Sequence, residues 1–298
     1  MDLLIVIVPA FNEGASIAQT VERLRALTPR LADHNLDLRI YVVDDGSTDE
    51  TRRVAEQAAD RVVRHRTNRG LGAAVRSGLN AARHDGANVA VKFDADLQHD
   101  PDDVLSLIEP IRQDEADLVY GYRFDRISYR MPLVRRTGNK VFTALMRWLT
   151  KWDIRDAQPG IFAASDAYLC VFRIPGDYNY TQQILLDAFH KGMRFAHVPV
   201  AFYKRETGMS FISFKYPMRV LWQIFMVLVG ITPMRIFGPI GLLFLTFGAG
   251  VSIWELWLYA NGVNDKPIGN VNLVLGTGLF GLQSIFFGAL AQLIIERR

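Results

Sequence analysis

At 298 residues the chain can hold two domains, or one large domain with an appendage, and half of its residues are apolar. A formal net charge of +3, without basic runs interleaved with aromatics, argues against nucleic acid as a partner. The single cysteine, Cys170, excludes an intrachain disulfide and suits a reducing compartment.

The opening stretch MDLLIVIVPAFNE lacks the positive flank and small-residue cleavage site of a signal peptide. It is also too short to span a bilayer, so it reads as a buried strand, and the soluble part is expected to stay on the side where it is made. Predicted strands follow at Leu3 to Val8, Leu38 to Val43, Val62 to Arg64, Val89 to Phe93 and Leu118 to Tyr120. Predicted helices lie between them, near Ala15 to Leu27, Asp49 to Ala59, Leu71 to Arg83 and Pro101 to Gln113. Ser47-Thr48-Asp49-Glu50 fits a capping box, and Asp100-Pro101 places a carboxylate before a first-turn proline. Strand and helix in alternation mean a largely parallel sheet with helices on both faces. Ligands of such sheets bind beyond the carboxyl ends of the strands, where Asp44, Asp45, Asp94 and Asp96 all fall.

Residues 122 to 150 break this rhythm with a basic stretch around Pro132 and a helix predicted over Lys140 to Leu149. DIRDAQPGIF follows, a Pro/Gly turn with two carboxylates. The segment Phe211 to Val229 is amphipathic and aromatic, with Lys215 and Arg219 near its start, and reads as a helix lying in a membrane interface. The runs Ile236 to Trp254 and Val271 to Ile295 are free of charge and long enough to cross the ~30 Å hydrocarbon layer. Arg219, Arg235, Arg297 and Arg298 flank them on one side, while the joining loop has one Lys and one Asp. The positive-inside rule then gives a multi-pass membrane protein with its catalytic part and both termini in the cytoplasm. Glu255, near the outer end of the first span, reads either as a snorkelling interfacial residue or as a functional intramembrane carboxylate.

In VKFDADLQHD, residues 91 to 100, Asp94, Asp96 and Gln98 share one alternation, so three oxygen donors are expected to line up at a strand end. Such a set suits Mg²⁺ or Mn²⁺, which prefer carboxylate oxygens and share their sphere with phosphates; a bare D-x-D also occurs in solvated turns. In VVDDGS, Asp44 is expected to accept hydrogen bonds from a nucleotide base or ribose, and Asp45 to cap the next helix. Gly70-Leu71-Gly72 matches no dinucleotide or P-loop pattern, and close packing of the helix it opens is the simpler reading. Arg123, Arg126, Arg130, Arg135 and Arg136 cluster in sequence, suited to phosphate or to lipid headgroups, and Arg205 is a further phosphate candidate. The histidines show no metal-ligand spacing and read as structural.

Taken together and in order, VPAFNE, VVDDGSTD and DADLQH resemble the inverting family 2 glycosyltransferases, and among them the dolichyl-phosphate mannose synthase-like, polyprenyl-phosphate group. The likeness extends to the D-x-Q-x-G turn at Asp156 to Gly160, the R-x-x-G-x-S element at Arg205 to Ser210, the interfacial helix and two spans. It implies an α/β, GT-A fold, Rossmann-like with a mostly parallel sheet, over residues 1–210, then interfacial helices over 211–232 and two transmembrane helices over 233–298. It implies that Pro9, Phe11, Glu13, Asp44 and Asp94 hold the nucleotide and that Asp94, Asp96 and Gln98 hold Mg²⁺ or Mn²⁺. Arg123, Arg135, Arg136, Asn139, Arg205 and Ser210 stand where the acceptor phosphate is met, and Asp96, Asp156 and Arg123 are the catalytic candidates. Asn139 replaces the family's serine. A homo-oligomer, a tetramer by this resemblance, is also implied.

The implied reaction moves a hexose from a nucleotide sugar, of UDP-glucose type rather than GDP-mannose, onto a polyprenyl phosphate at the membrane. That nucleophile has a second pKa of about 6 and needs arginines more than a strong base, so Asp156 reads as a base or as an orienting group. A polysaccharide synthase of the same superfamily usually carries Q-x-x-R-W, and Ala144 to Trp148 lacks the glutamine. Three rival functions stay open on the residues alone: a membrane polysaccharide synthase with a glycan acceptor, transfer to a hydroxyl-bearing lipid, and a membrane-anchored nucleotide-binding assembly protein without catalysis.

Overall fold

The run of apolar residues near the N-terminus becomes the middle of the sheet: β1 (Asp2–Ala10) is buried from Leu4 through Ala10. It pairs in parallel with β2 (Leu36–Asp44) on one side and with β4 (Val89–Lys92) on the other. A strand covered on both faces has no solvent side, which is why its sequence shows no apolar–polar alternation. The computed structural model describes residues 1–123, 133–174, 177, 180–203, 229 and 233–296, and two compact units divide the chain, Met1–Ser213 and Phe214–Arg298.

In the first unit β3 (Arg61–Arg64), β5 (Leu118–Tyr122), β6 (Phe162–Ser165) and β7 (Phe195–Pro199) complete a seven-stranded sheet of order β3-β2-β1-β4-β6-β5-β7. β6 runs antiparallel to both β4 and β5, and β7 is parallel to β5. The helices of this unit are α1 (Ile17–Arg25), α2 (Thr28–Asp33), α3 (Thr51–Ala58), α4 (Leu71–His84), α5 (Asp103–Arg112), α6 (Leu133–Thr150), α7 (Asp166–Val171) and α8 (Tyr180–His190). Leu4, Val6 and Val8 point into one core with Ile17 and Leu24 of α1, Ala55 of α3 and Leu107 of α5. The intervening Ile7 faces α4, where a Cβ on Gly78 would lie 2.2 Å from Ile7 Cγ2. Strand order reverses between β1 and β4, and the crevice beyond their carboxyl ends is where a ligand fits in a sheet of this kind.

Several local expectations are corrected. The sequence pattern indicates five strands; β6 and β7 escape it because FAAS is short and FAHVP is only partly buried and not alternating. α2, α7 and α8 are likewise additions. The capping box does not form: α3 starts at Thr51, whose amide donates to Asp49 Oδ1 at 3.0 Å. Ser47 Oγ instead accepts from the Asn12 amide at 3.1 Å, tying the loop after β2 to the loop after β1. Asp100 Oδ1 accepts from the Asp102 amide at 3.1 Å, one turn ahead of α5 proper.

In the second unit α9 (Pro233–Ala260) and α10 (Val271–Glu296) form a hairpin of 28 and 26 residues. At ~1.5 Å per residue each exceeds the ~30 Å hydrocarbon layer, and both are candidate membrane spans by length and composition. Glycines set the closeness of the pair: a Cβ on Gly241 would lie 2.6 Å from Gly281 O, and one on Gly281 would lie 2.8 Å from Gly241 O. Glu255 is neither snorkelling nor free: only 4% exposed, it accepts the Asn270 amide at 3.1 Å and also the Asn270 side chain. Asn270 directly precedes α10, so Glu255 satisfies the exposed donors at that helix start. The segment 211–228 and Arg297 and Arg298 lie outside the described residues.

Gly78→Ala should act as overpacking between α4 and β1, since the added Cβ would stand 2.2 Å from Ile7 Cγ2 and 3.2 Å from Val43 Cγ2. A loss of about 1–3 kcal/mol is expected, read as a lower melting temperature of the detergent-purified protein; an unchanged melting temperature would contradict this packing.

Candidate active site

The carboxyl ends of β1, β2 and β4 surround a cleft of ≈ 350 Å³. Pro9, Phe11 and Glu13 contribute from the end of β1 and the loop after it, and Asp94 and Asp96 from the turn after β4. The opposite wall is the loop before α4, with Asn68 and Gly70. Phe11 is 42% exposed, an apolar face open to a flat ligand.

Two hydrogen-bonded loops shape the side of this cleft formed by the ends of β1 and β2. Asn12 has φ 55°, and its Oδ1 accepts the Thr48 amide at 2.9 Å. Asp44 is buried and its Oδ1 accepts the Ser47 amide at 2.9 Å. Asp45, expected to cap α3, instead lines the cleft and fastens the loop before α4. It accepts the Arg69 amide at 3.0 Å and the Gly70 amide at 2.7 Å, and His65 Nδ1 lies 2.6 Å from its Oδ1. Gly46 has φ 75°, and a Cβ there would lie 2.5 Å from the Thr67 carbonyl carbon, so the turn between these loops requires glycine. Gly72 packs against Asp177 O, where a Cβ would stand only 2.3 Å away, as close packing of α4 requires.

The turn after β4 departs from the expected alternation. β4 ends at Lys92, and Leu97 takes φ 60°, which rotates the chain. Gln98 is thereby turned out of the cleft lining: its Nε2 donates to Tyr203 O at 2.9 Å, and its carbonyl accepts the Tyr203 amide at 2.8 Å. Of the expected alternation, the carboxylates Asp94 and Asp96 line the cleft and the amide of Gln98 does not. Asp94 is paired with Lys92, whose Nζ donates to Asp94 Oδ1 and, at 2.6 Å, to Gly160 O. The Lys92 ammonium also stands 5.8 Å from the Tyr180 ring centroid. Burial alone would pull the Lys92 pKa down, but Asp94 and Tyr180 outweigh it and hold it above the usual lysine range. Burial would likewise raise Asp94, yet Lys92 and His99 keep it well below the usual carboxylate range. His99 is buried between Phe93 and Phe202, with Nε2 3.7 Å from Asp94 Oδ2. A Cβ on Gly160 would lie 2.1 Å from that Nε2, so the last position of the D-x-Q-x-G turn has no space for a side chain.

A second buried ion pair organises the same turn from the other end. Arg123, just past β5, places Nε 3.1 Å from Asp156 Oδ2 and donates through Nη2 to Gln158 O at 2.7 Å. Asp156 Oδ1 accepts Asn139 Nδ2 at 2.8 Å and the Gln158 amide at 2.9 Å, and Thr143 Oγ1 donates to Asn139 Oδ1 at 2.8 Å. The structure therefore joins Arg123, Asn139 and Asp156, three residues that the resemblance singles out separately. Arg135 and Arg136 lie on α6, and their side chains are outside the described residues, as are Arg126, Arg130, Arg205 and Ser210 altogether.

Lys92 and Tyr180 are neighbours of the acidic turn that the sequence pattern does not single out, while Asp45 reads there as a cap and His99 as structural. Lys92 had a usable signal, a lone charge in an apolar strand two residues before Asp94 and so on its side of the strand. Among the described residues no three His, Cys, Asp or Glu side chains are grouped to hold a metal ion by themselves. Asp94 and Asp96, one of them held ionised by Lys92, suit a hard divalent cation that completes its sphere with phosphate oxygens.

Residues 5–171 match the family described as Glycosyl transferase family 2. The chain is 30% identical to the UDP-N-acetylglucosamine–dolichyl-phosphate N-acetylglucosaminyltransferase of Methanococcus voltae, over 74% of this chain and 95% of that one. It is 30% identical to the polyprenol monophosphomannose synthase of Mycolicibacterium smegmatis, over 70% and 80% of the two chains. With the dodecaprenyl-phosphate galacturonate synthase of Rhizobium johnstonii it shares 26% identity over 98% of this chain and 87% of that one. In fold it is similar to glucosyl-3-phosphoglycerate synthase from Mycobacterium tuberculosis, solved with Mn²⁺, UDP and phosphoglyceric acid. The TM-score is 0.60 at 21% identity, over 76% of this chain and 78% of that one. With acidic residues at the carboxyl ends of a GT-A sheet and the family match across more than half its length, the chain belongs to glycosyltransferase family 2 and is a glycosyltransferase.

Proposed function

We propose that the enzyme transfers a hexose, with inversion, from a nucleotide sugar to a polyprenyl phosphate at the cytoplasmic face of a membrane. The observation that carries this is the pairing of an acidic cleft at the strand switch point with two apolar helices of spanning length in the same chain. The relatives named above differ in sugar but share a polyprenyl-phosphate acceptor in their names. A UDP-glucose-type donor is favoured by the D-x-Q-x-G turn.

Phe11 and Pro9 offer a surface for the nucleobase, and Asp94 and Asp96 would hold Mg²⁺ or Mn²⁺ on the donor diphosphate. When bound, the metal neutralises the negative charge that builds on the diphosphate as its bond to the anomeric carbon breaks. A phosphate oxygen of the lipid attacks that carbon from the opposite side, so an α-linked donor gives a β-linked product. The attacking group is already anionic near neutral pH, and no proton has to be removed for the bond to form. Asp156 fits an orienting role: it is buried, both its oxygens are engaged, and one of them holds Arg123. Arg123, Arg135 and Arg136 are assigned to the acceptor phosphate, which must approach a second anionic group. The arginines flanking the α9–α10 hairpin in the sequence support a cytoplasmic position for both of its termini.

The deciding experiment incubates purified protein in detergent with undecaprenyl phosphate, Mg²⁺ and one radiolabelled nucleotide sugar at a time, followed by organic extraction. Label is expected in the lipid phase with UDP-glucose. Removal of the metal by EDTA should abolish it, and Mg²⁺ or Mn²⁺ should restore it. Asp96→Ala should lower the rate on the order of 10²-fold or more, the scale of losing one preorganised charge-stabilising contact. Lipid labelling from GDP-mannose alone would change the donor and keep the acceptor. Nucleotide release without lipid label from any donor would overturn the polyprenyl-phosphate reading in favour of a glycan or hydroxyl-lipid acceptor.

Asp156→Asn separates orientation from base catalysis. It should raise the KM for the lipid phosphate and leave the pH profile of transfer in shape, because only the hold on Arg123 is weakened. A profile that loses its basic dependence on pH, with KM unchanged, would identify Asp156 as a base instead.

A further inference from the structure

Lys92 is an unusual residue for its position. It lies in β4, a strand buried at all four positions, between Ile7 of β1 and Phe162 of β6 in the sheet register. It is 1% exposed and does not line the cleft, and its ammonium is hydrogen-bonded within the protein. Burying an ammonium is costly unless it is paired and hydrogen-bonded, and Lys92 is both. One bond goes to Asp94 Oδ1 and the other to Gly160 O at 2.6 Å, with Tyr180 alongside.

These contacts have a directional consequence for Asp94. With Oδ1 engaged by Lys92, Oδ2 is the oxygen left to serve a ligand. The position of Oδ2 is bounded on one side by His99 Nε2, 3.7 Å away, and on another by Gly160, whose added Cβ would come within 3.1 Å of it. The bond to Gly160 O keeps the D-x-Q-x-G turn in place, so a single ammonium fixes one oxygen of Asp94 and the wall that confines the other. The pairing also relieves the repulsion between two carboxylates, Asp94 and Asp96, that share one cleft before any cation arrives.

From this geometry we infer that Lys92 is a positioning residue of the donor site, acting through Asp94 to preorganise it for a metal-bound nucleotide diphosphate. The inference rests on the donor site proposed above. A residue that orients a ligating carboxylate without touching the ligand is worth about 10–100-fold in metal affinity or activity in sites of this kind.

The test is calorimetric titration of the full-length protein in detergent with Mn²⁺ and UDP, with GDP in parallel, alongside its melting temperature. The variants are Lys92→Met, Asp94→Asn and the double substitution. Lys92→Met should weaken Mn²⁺–nucleotide binding about tenfold or more. Asp94→Asn should do the same, and the double variant should bind no worse than Asp94→Asn alone, because residues acting in one contact are not additive. Lys92→Met binding as tightly as the parent would overturn the inference, and so would a double variant whose loss is the sum of the two single losses. Should Lys92→Met fail to fold, having left a carboxylate uncompensated, the comparison of Asp94→Asn with the double variant decides alone. Equal affinity supports the inference, and a further loss overturns it. A parent protein that binds neither nucleotide with Mn²⁺ would overturn the donor site itself, and the role of Lys92 with it.

Discussion

A lysine ammonium buried beneath the end of β4 is the constraint on which the site depends. In a strand covered on both faces a charge survives only if a counter-charge and a hydrogen-bond acceptor are built around it. Asp94 supplies the first and the Gly160 carbonyl the second. The pairing holds together two stretches far apart in the chain, the turn after β4 and the turn before β6. Without the ammonium, the first carboxylate of the acidic pair would face burial and a like-charged neighbour with no compensation.

The Arg123–Asp156 pair does the corresponding work at the other end of the D-x-Q-x-G turn. It too is buried, and its hydrogen bonds run through Asn139, Thr143 and Gln158, so that the end of β5, α6 and the D-x-Q-x-G turn are tied together. Gln158 and Gly160 are two residues apart, which places the two buried ion pairs at the two ends of one short turn. For a reaction that brings two anionic substrates together, a turn clamped at both ends is a plain way to keep their binding groups in fixed relation. Such buried pairs are weak contributors to net stability, and their value lies in geometry.

Close approach of backbones sets the remaining dimensions. Gly46 lets two loops meet at the nucleotide wall, Gly160 lets His99 lie against the acidic turn, and Gly241 with Gly281 lets the two apolar helices touch. In a helix pair of this composition, contact between small residues is what lets the backbones approach closely. Glu255 closes the other end of that hairpin by capping α10 through Asn270.

Periodicity and local chemistry made the central parallel strands, most of their helices, the acidic strand ends and the two apolar spans legible, because each is a property of a few neighbouring residues. The joint appearance of Asp94, Asp96, Asp156 and Arg123 in one region was legible only through the order of motifs, since nothing local says that residues 123 and 156 meet. β6 and β7 were hidden by brevity and partial burial. The alternation that enlists Gln98 fails because Leu97 takes a left-handed backbone, a choice made by the packing of Tyr203 and Gln98 on each other. Asp45 was misread as a cap because its partners, Arg69 and Gly70, lie more than twenty residues away. The sequence by itself determined which residues can carry charge, bind a cation and face lipid, since those are properties of side-chain types and their spacing. The tertiary structure alone decided which carboxylate each buried cation holds, because that depends on distances between segments far apart in the chain.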